Sequence, residues 1–266
     1  MSKMRLIICA FVLSVLPVNN TFLQSSSMIK PARETHNHDI DTYFTWCYTS
    51  LYCDSPRPGY EVFRRALTGF LNLKSEGKIR NNLLTIIDFS VSSNLERLWI
   101  VDIPGMKVIH HSLVAHGKKS GDEYATHFSN KPSSNQSSLG FYLTDGIYYG
   151  KHGVSLYLDG VEPGVNDKAR ERAIVMHGAE YVSREYITSY GRLGRSFGCP
   201  SIPLDNHEEI IRLLSGRSCI YIHYPDTDYF LNSKLLISEK VTEGIYMLQS
   251  EKSGVSDSSL RNGSVP

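Results

Sequence analysis

The chain has 266 residues, with 28 basic and 27 acidic side chains, so its formal net charge is +1. This balance, without a run of five basic residues, gives no electrostatic footprint for nucleic acid, and we expect no nucleic-acid partner. At 41% hydrophobic residues the chain can build one large core with short appendages.

The first 24 residues have the pattern of an export signal. Lys3 and Arg5 precede an apolar stretch over residues 6–18, which is too short to cross a bilayer as an ordinary helix. Polar residues follow it, without a clean Ala-x-Ala cleavage site. We therefore expect a signal peptide over residues 1–24 and an exported protein, with an uncleaved anchor or a buried helix as the alternative.

A linker and N-terminal extension is predicted over residues 25–57, because its first part is polar and contains three consecutive serines and a proline. Cys47 and Cys53 lie six residues apart at its end. In an oxidising compartment they can form a disulfide, and two reduced thiols are the alternative. No Cys or His spacing matches a zinc ligand set, so we expect no metal.

The middle of the chain predicts one mainly β (α+β) domain over residues 58–226. Apolar residues recur at helical spacing over residues 58–73, which predicts an N-terminal helix. Strands are then predicted at residues 83–89, 97–102, 107–115, 139–143, 154–158, 172–176 and 219–224, separated by Gly, Ser and Asn clusters. Such a pattern is typical of a mixed, mostly antiparallel sheet or sandwich with long functional loops.

Two further elements are predicted near the C-terminus. Asp205 and Glu208 have capping-box spacing before an apolar run, which indicates a short helix ending near Gly216. Residues 227–266 are predicted to form a partly disordered tail.

The run from Gly191 to Pro200 holds the best candidate for chemistry. Cys199 lies between glycine and proline, and the small residues around it let a substrate backbone come close. A thiol with an ordinary pKa of about 8.5 is mostly protonated at neutral pH and needs a base, for which His177 is available upstream. The amides of Gly198 and Cys199 are candidate donors to an oxyanion. A buried cysteine in a plain turn is the alternative.

Two motifs carry a resemblance to a known family. His177-Gly178 and the block Ser196-Phe197-Gly198-Cys199 resemble the L,D-transpeptidase (YkuD-type) catalytic domain, and most closely its murein L,D-transpeptidase variant branch. The resemblance covers residues 60–224, including 84–90, 114–117, 127–130, 137–142, 150–153 and 174–183. The commoner family pattern has histidine where this chain has Phe197, so His177 has to carry the base role alone.

The resemblance implies a cysteine acyltransferase that acts on peptidoglycan stem peptides in the periplasm or at the cell wall. Cys199 would form a thioester and an amine of a neighbouring stem peptide would resolve it, with Ser196 and Gly178 shaping the site and no cofactor required. A hydrolase of the same bond (carboxypeptidase or endopeptidase) and a non-catalytic wall-binding module are the alternatives. A papain-like protease needs its histidine after the cysteine, and here the order is reversed. The sequence does not predict an oligomeric state.

Candidate substrate-binding residues lie in loops and at strand ends. Arg192 and Arg195 can bind a carboxylate bidentately, and ordinary solvated arginines are the alternative. Further candidates are His116, Ser129, Asn130, Tyr142 and Lys151, and for each of them a purely structural role is the alternative.

Overall fold

The structure, a computed structural model, describes the backbone from Lys30 to Ser253. The predicted signal peptide lies outside the described residues. In order, the elements are α1 (Lys30–Ser50), α2 (Tyr60–Ser75), β1 (Leu83–Asp88), β2 (Leu98–Asp102), β3 (Lys107–Ser112), β4 (Gly140–Gly150), β5 (Gly153–Gly160), β6 (Val175–Gly178), α3 (Arg184–Tyr190), β7 (Ser201–Ile202), α4 (His207–Leu214), β8 (Cys219–His223), α5 (Thr227–Asn232) and α6 (Val241–Ser253). Among the described helices, none is long and apolar enough to span a membrane.

One mixed sheet of eight strands forms the centre of the fold, in the order β3-β2-β1-β8-β4-β5-β6-β7. Five of its strand pairs are antiparallel, while β1 with β8 and β6 with β7 are parallel. Strand β1 is buried along its whole length, which explains why it is a continuous apolar run. The predicted mainly β, α+β class is confirmed.

The two edges of this sheet come together at the cysteine loop. Beyond β3 the chain forms isolated bridges from Ala115 to Ser201 and from Gly117 to Ser196. The sheet therefore closes almost into a barrel, since one edge continues onto the segment that leads into and out of Cys199. Strand β7 has only two residues, and the sequence analysis did not predict it.

Helix α2 covers one face of the sheet, as the helical spacing predicted. Phe63, Leu67 and Phe70 are fully buried on its inner side. A Cβ at Gly69 would lie 2.0 Å from the Phe141 ring, so the glycine lets the helix approach the sheet closely. The packing thus explains a glycine that helix propensity alone disfavours.

The linker and N-terminal extension predicted over residues 25–57 contains a helix, because α1 occupies Lys30–Ser50. From Ile40 onward, Phe44, Cys47 and Leu51 follow at helical spacing and are buried in the core. Of the two alternatives for Cys47 and Cys53, the structure has the two reduced thiols. Cys47 is buried on the inner face of α1, Cys53 is half-buried beyond its end, and both are free.

The tail over residues 227–266, predicted to be partly disordered, contains α5 and α6 in its described part, which ends at Ser253. Tyr229, Val241 and Leu248 are buried against the domain. Lys74 of α2, almost fully buried, pairs with Glu251 of α6 at 2.7 Å. A buried ammonium needs such a partner, so α6 belongs to the folded domain. Residues 254–266 lie outside the described residues.

The predicted helix after the cysteine is present as α4, with Asn206 as its N-cap residue. No side-chain hydrogen bond caps it, so the capping box expected from Asp205 and Glu208 is not formed. Its burial of Ile210, Ile211 and Leu214 shows that packing, rather than capping, defines the helix.

Candidate active site

Side-chain hydrogen bonds fix the loop that carries Cys199. The buried Ser196 Oγ donates to the Cys199 carbonyl at 2.6 Å and accepts from the Gly198 amide at 3.0 Å. From the other side, Ser137 Oγ donates to the Gly198 carbonyl at 3.1 Å. The turn is therefore set before any substrate arrives, and Ser196 acts on its shape rather than on a reacting atom.

Gly198 occupies a position that only glycine suits. Its φ of 128° lies in the region that side chains disfavour. A Cβ there would also lie 2.8 Å from the Gln136 carbonyl oxygen and 2.9 Å from Ile174 Cδ1. Both neighbours belong to segments that border the cysteine, so crowding at Gly198 would displace the thiol.

We expect Gly198→Ala to lower both stability and activity, whereas Gly164→Ala lowers stability by a smaller amount and leaves activity unchanged. Gly164 has φ 79°, and no atom lies within 4 Å of its Cβ position. Gly164→Ala therefore introduces only the backbone strain, about 1–2 kcal/mol, whereas Gly198→Ala adds a steric clash to it. Thermal denaturation and the rate of Cys199 acylation measure the two effects. Equal behaviour of the two variants in both assays would contradict a crowded, preset turn.

The thiol of Cys199 is half-buried at the surface of this loop. Its sulfur accepts from the Val175 amide at 3.5 Å and lies 3.8 Å from the Ala173 carbonyl oxygen. Burial raises the pKa of the thiol, while the Val175 amide and the cations Arg172 and Lys151 oppose that rise. In the resting protein Cys199 is consequently a protonated thiol rather than a thiolate at neutral pH.

Arg172 is a functional candidate that the sequence analysis missed. Its guanidinium donates to the Ser129 and Gln136 carbonyls at 2.7 and 2.6 Å, and also to the hydroxyls of Ser138 and Ser134. Among the described residues no carboxylate pairs with it. Its uncompensated charge therefore acts on the neighbouring thiol.

No local sequence pattern could have indicated Arg172, since it lies 27 positions before the cysteine. Its segment is rich in charged residues, a composition that is typical of solvent-exposed surface. Only the fold brings it to the site. A Cβ at Gly198 would be 3.4 Å from its Nη2.

His177 is buried on β6, and both of its ring nitrogens have partners. Nδ1 donates to the Gly178 carbonyl at 2.8 Å, and Nε2 lies 3.0 Å from Ser201 Oγ. A carbonyl only accepts, so Nδ1 carries the proton and Nε2 holds the lone pair. Burial lowers the pKa of His177 to about 4, which keeps the ring neutral and able to act as a base near pH 7.

No direct hydrogen bond joins the thiol of Cys199 to the imidazole of His177 between these two described residues. Cys199 and His177 nevertheless belong to adjoining segments, since Ser201, two residues beyond Cys199, pairs in register with His177. Exposed His152 stacks on the His177 ring with centroids 4.3 Å apart. The hairpin of Lys151 and His152 thus covers the candidate base from solvent.

The two expected oxyanion donors differ in availability. The Gly198 amide is already used by Ser196 Oγ. The Cys199 amide has no oxygen partner within the described part of the chain. We therefore keep only the Cys199 amide as a candidate donor to an oxyanion.

Two predicted substrate-binding residues are engaged inside the protein. His116 is fully buried, with Nδ1 2.8 Å from Arg97 Nη2 and Nε2 near the Gly121 carbonyl. Tyr142 is buried and donates to the Ser138 carbonyl. The structure gives both a packing role, because neither has an open face to offer a substrate.

The remaining substrate-binding candidates, apart from Lys151, form hydrogen bonds that hold loops in place. Ser129 supplies its carbonyl to Arg172, and Asn130 bridges Asp167 and Lys168. Arg195 pairs with Asp122 and two carbonyls, and Arg192 bonds the Leu193 carbonyl. Lys151 remains exposed beside His177 and Cys199 and is available to a substrate anion.

Phe197 points outward, with 63% of its surface exposed. Lys118 Nζ lies 4.2 Å from its ring centroid, a favourable cation–π contact. The ring therefore forms part of the rim of the site, and the burial that raises the thiol pKa comes from other groups.

Comparison with known proteins agrees with these motifs. The L,D-transpeptidase catalytic domain matches residues 55–223, more than half of the chain. Two solved structures are similar: an L,D-transpeptidase from Mycobacterium smegmatis (12% identity, TM-score 0.33, 54% of this chain and 59% of that chain covered) and the L,D-transpeptidase (Yku) from Stackebrandtia nassauensis (10%, 0.33, 72% and 92%). The chain thus spans about three fifths of the first. No curated protein matches. By the match over residues 55–223, the chain belongs to the L,D-transpeptidase catalytic domain family.

Proposed function

We propose that the protein is a cysteine acyltransferase that acts on peptidoglycan stem peptides, with Cys199 as nucleophile and His177 as base. The observation that carries this proposal is the Nδ1 hydrogen bond of His177 to the Gly178 carbonyl. It fixes the tautomer in which Nε2 can accept a proton, on the strand next to the one that follows Cys199. Family membership supports the substrate class.

The proposed first step forms a thioester. Cys199 sulfur attacks the carbonyl carbon of the donor peptide bond, and His177 Nε2 takes the thiol proton. The C–N bond then breaks, the proton passes to the departing amine, and the acyl group stays on sulfur. The Cys199 amide donates to the oxygen that becomes negative on the way.

The second step transfers the acyl group to an acceptor. The nitrogen of an amine on a neighbouring stem peptide attacks the thioester carbonyl carbon, a new C–N bond forms, and the C–S bond to Cys199 breaks. The proton that the amine loses returns to the Cys199 sulfur through His177. Water in place of the amine would make the same site a carboxypeptidase or endopeptidase. Mass spectrometry of muropeptides incubated with the protein distinguishes these outcomes: we expect cross-linked dimers. Shortened monomers alone would indicate the hydrolase, and unchanged muropeptides with retained binding would indicate a wall-binding module.

The pH dependence follows from the two pKa shifts. His177, with a pKa of about 4, is neutral above pH 5, while the raised thiol pKa leaves Cys199 protonated at pH 7. Alkylation of Cys199 by iodoacetamide is thus expected to accelerate steadily from pH 6 to pH 9. Peptide mapping assigns the adduct to Cys199 and separates it from half-buried Cys53. A rate that is already constant from pH 5 upward would reveal a preformed thiolate–imidazolium pair and contradict the neutral resting site.

Location outside the cytoplasm is part of the same proposal. It rests on the signal peptide predicted over residues 1–24. N-terminal sequencing of the protein recovered from fractionated cells tests it, because a start between residues 18 and 27 is expected and a retained Met1 in the cytoplasmic fraction would contradict it.

A further inference from the structure

Ser201 lies between the candidate base and a tyrosine, in the interior of the fold. It is fully buried, pairs in register with His177 across β6 and β7, and bridges to Ala115 on the other side. Its Oγ lies 3.0 Å from His177 Nε2 and 2.9 Å from the Tyr181 hydroxyl. The three side chains form a continuous hydrogen-bonded row.

The direction of this row follows from its ends. Nδ1 of His177 holds the ring proton, so Nε2 accepts and the Ser201 hydroxyl donates to it. Ser201 Oγ then accepts from Tyr181, whose pKa is raised by burial, so that it stays protonated. In the resting protein Tyr181 therefore donates its hydrogen bond to Ser201, and Ser201 donates to His177.

When His177 takes the thiol proton, both ring nitrogens become donors, so Nε2 can no longer accept a hydrogen bond from the Ser201 hydroxyl. Hydroxyl groups can turn and act as acceptors, which a fixed amide or ammonium donor cannot do. After the turn, Nε2–H donates to Ser201 Oγ, and the Ser201 proton points to the Tyr181 oxygen. The other titratable groups around the ring, His152, His207 and Lys151, disfavour the charged ring instead.

We propose that Ser201, held by Tyr181, is a positioning residue whose hydroxyl reverses its hydrogen bond to stabilise the imidazolium formed when His177 deprotonates Cys199. The inference rests on the proposed function and adds to it the group that stabilises the positive charge on the protonated His177 ring. Among the described residues no carboxylate contacts the His177 ring: the Gly178 carbonyl holds Nδ1, and the neutral hydroxyls of Ser201 and Tyr181 lie on the Nε2 side.

The test is a double-mutant cycle on the neutral-pH alkylation of Cys199 by iodoacetamide, with the stem-peptide acylation rate measured alongside. Ser201→Ala is expected to slow alkylation about tenfold to a hundredfold at pH 7. Ser201→Thr keeps the hydroxyl and should restore most of the rate, and Tyr181→Phe should have a smaller effect. In the His177→Ala background, Ser201→Ala should change nothing further.

At pH 10, where hydroxide deprotonates the thiol, all variants should react at nearly the same rate. An Ser201→Ala protein that reacts as fast as wild type at pH 7, or faster, would overturn the inference, as would an equal loss at pH 7 and pH 10 or in the His177→Ala background. Iodoacetamide needs no stem peptide. If the alkylation rates of the single and double variants are those expected, but no stem peptide acylates any variant, the proposed function fails and the role of Ser201 stands.

Discussion

Cys199→Ser is expected to abolish stem-peptide turnover while leaving the fold unchanged. Serine is nearly isosteric with cysteine but far less acidic and less nucleophilic, and His177 with a pKa of about 4 is too weak a base to activate it. The expected loss is roughly a thousandfold or more, as for removal of other catalytic nucleophiles. Muropeptide conversion followed by mass spectrometry gives the rate.

The matched control for this variant is Cys53→Ser, which changes a half-buried free cysteine away from the loop. Both variants should unfold at the wild-type temperature, and only Cys199→Ser should lose turnover. Comparable conversion by Cys199→Ser and wild type would remove Cys199 from the nucleophile role.

Arg172→Met is expected to move the pH dependence of Cys199 alkylation to higher pH. Arg172 places a cation beside the thiol, with no paired carboxylate in the part of the chain that the structure describes, and its loss raises the thiol pKa further. A rise of one unit lowers the thiolate fraction about tenfold at a given pH below the pKa. Alkylation rates from pH 6 to pH 10 measure the displacement of the curve.

Two controls separate the charge of Arg172 from its bracing of the loop. Arg172→Lys keeps the charge but loses the planar fork that reaches Ser129 and Gln136, so we expect a smaller displacement and a lower melting temperature. Arg192→Met removes a cation whose hydrogen bond within the described residues goes to the Leu193 carbonyl, and it should leave the curve in place. A rate loss in Arg172→Met that is the same at every pH would show a purely structural role.

Hydrophobic patterning was sufficient for the sheet, because the buried strands are long apolar runs. Strand β1 shows this, since each of its residues is buried. Strand β7 could not be found in this way: two residues carry no periodicity, and its existence depends on partners 24 and 86 positions earlier, His177 and Ala115. The spacing of Ile40, Phe44 and Cys47 did signal a helix, but the polar residues before it obscured that signal.

The candidate site shows the same division between local and long-range information. Cys199, Gly198 and His177 could be chosen as candidates from the sequence, because their residue types and neighbours suit the proposed chemistry. The roles proposed for Arg172 and Ser201 depend on contacts between segments far apart in the sequence, which spacing does not encode. His116 was misjudged because burial against Arg97 leaves no trace in its immediate sequence.

The most direct test of the account is intact mass spectrometry of the protein after brief incubation with a stem tetrapeptide donor, followed by peptide mapping. Wild type should gain the mass of the donor minus its leaving amine, on the peptide that contains Cys199, and hydroxylamine should remove the adduct as expected for a thioester. The Cys199→Ser protein should gain nothing. An adduct on another residue, or the same adduct on the Cys199→Ser protein, would contradict the thioester mechanism.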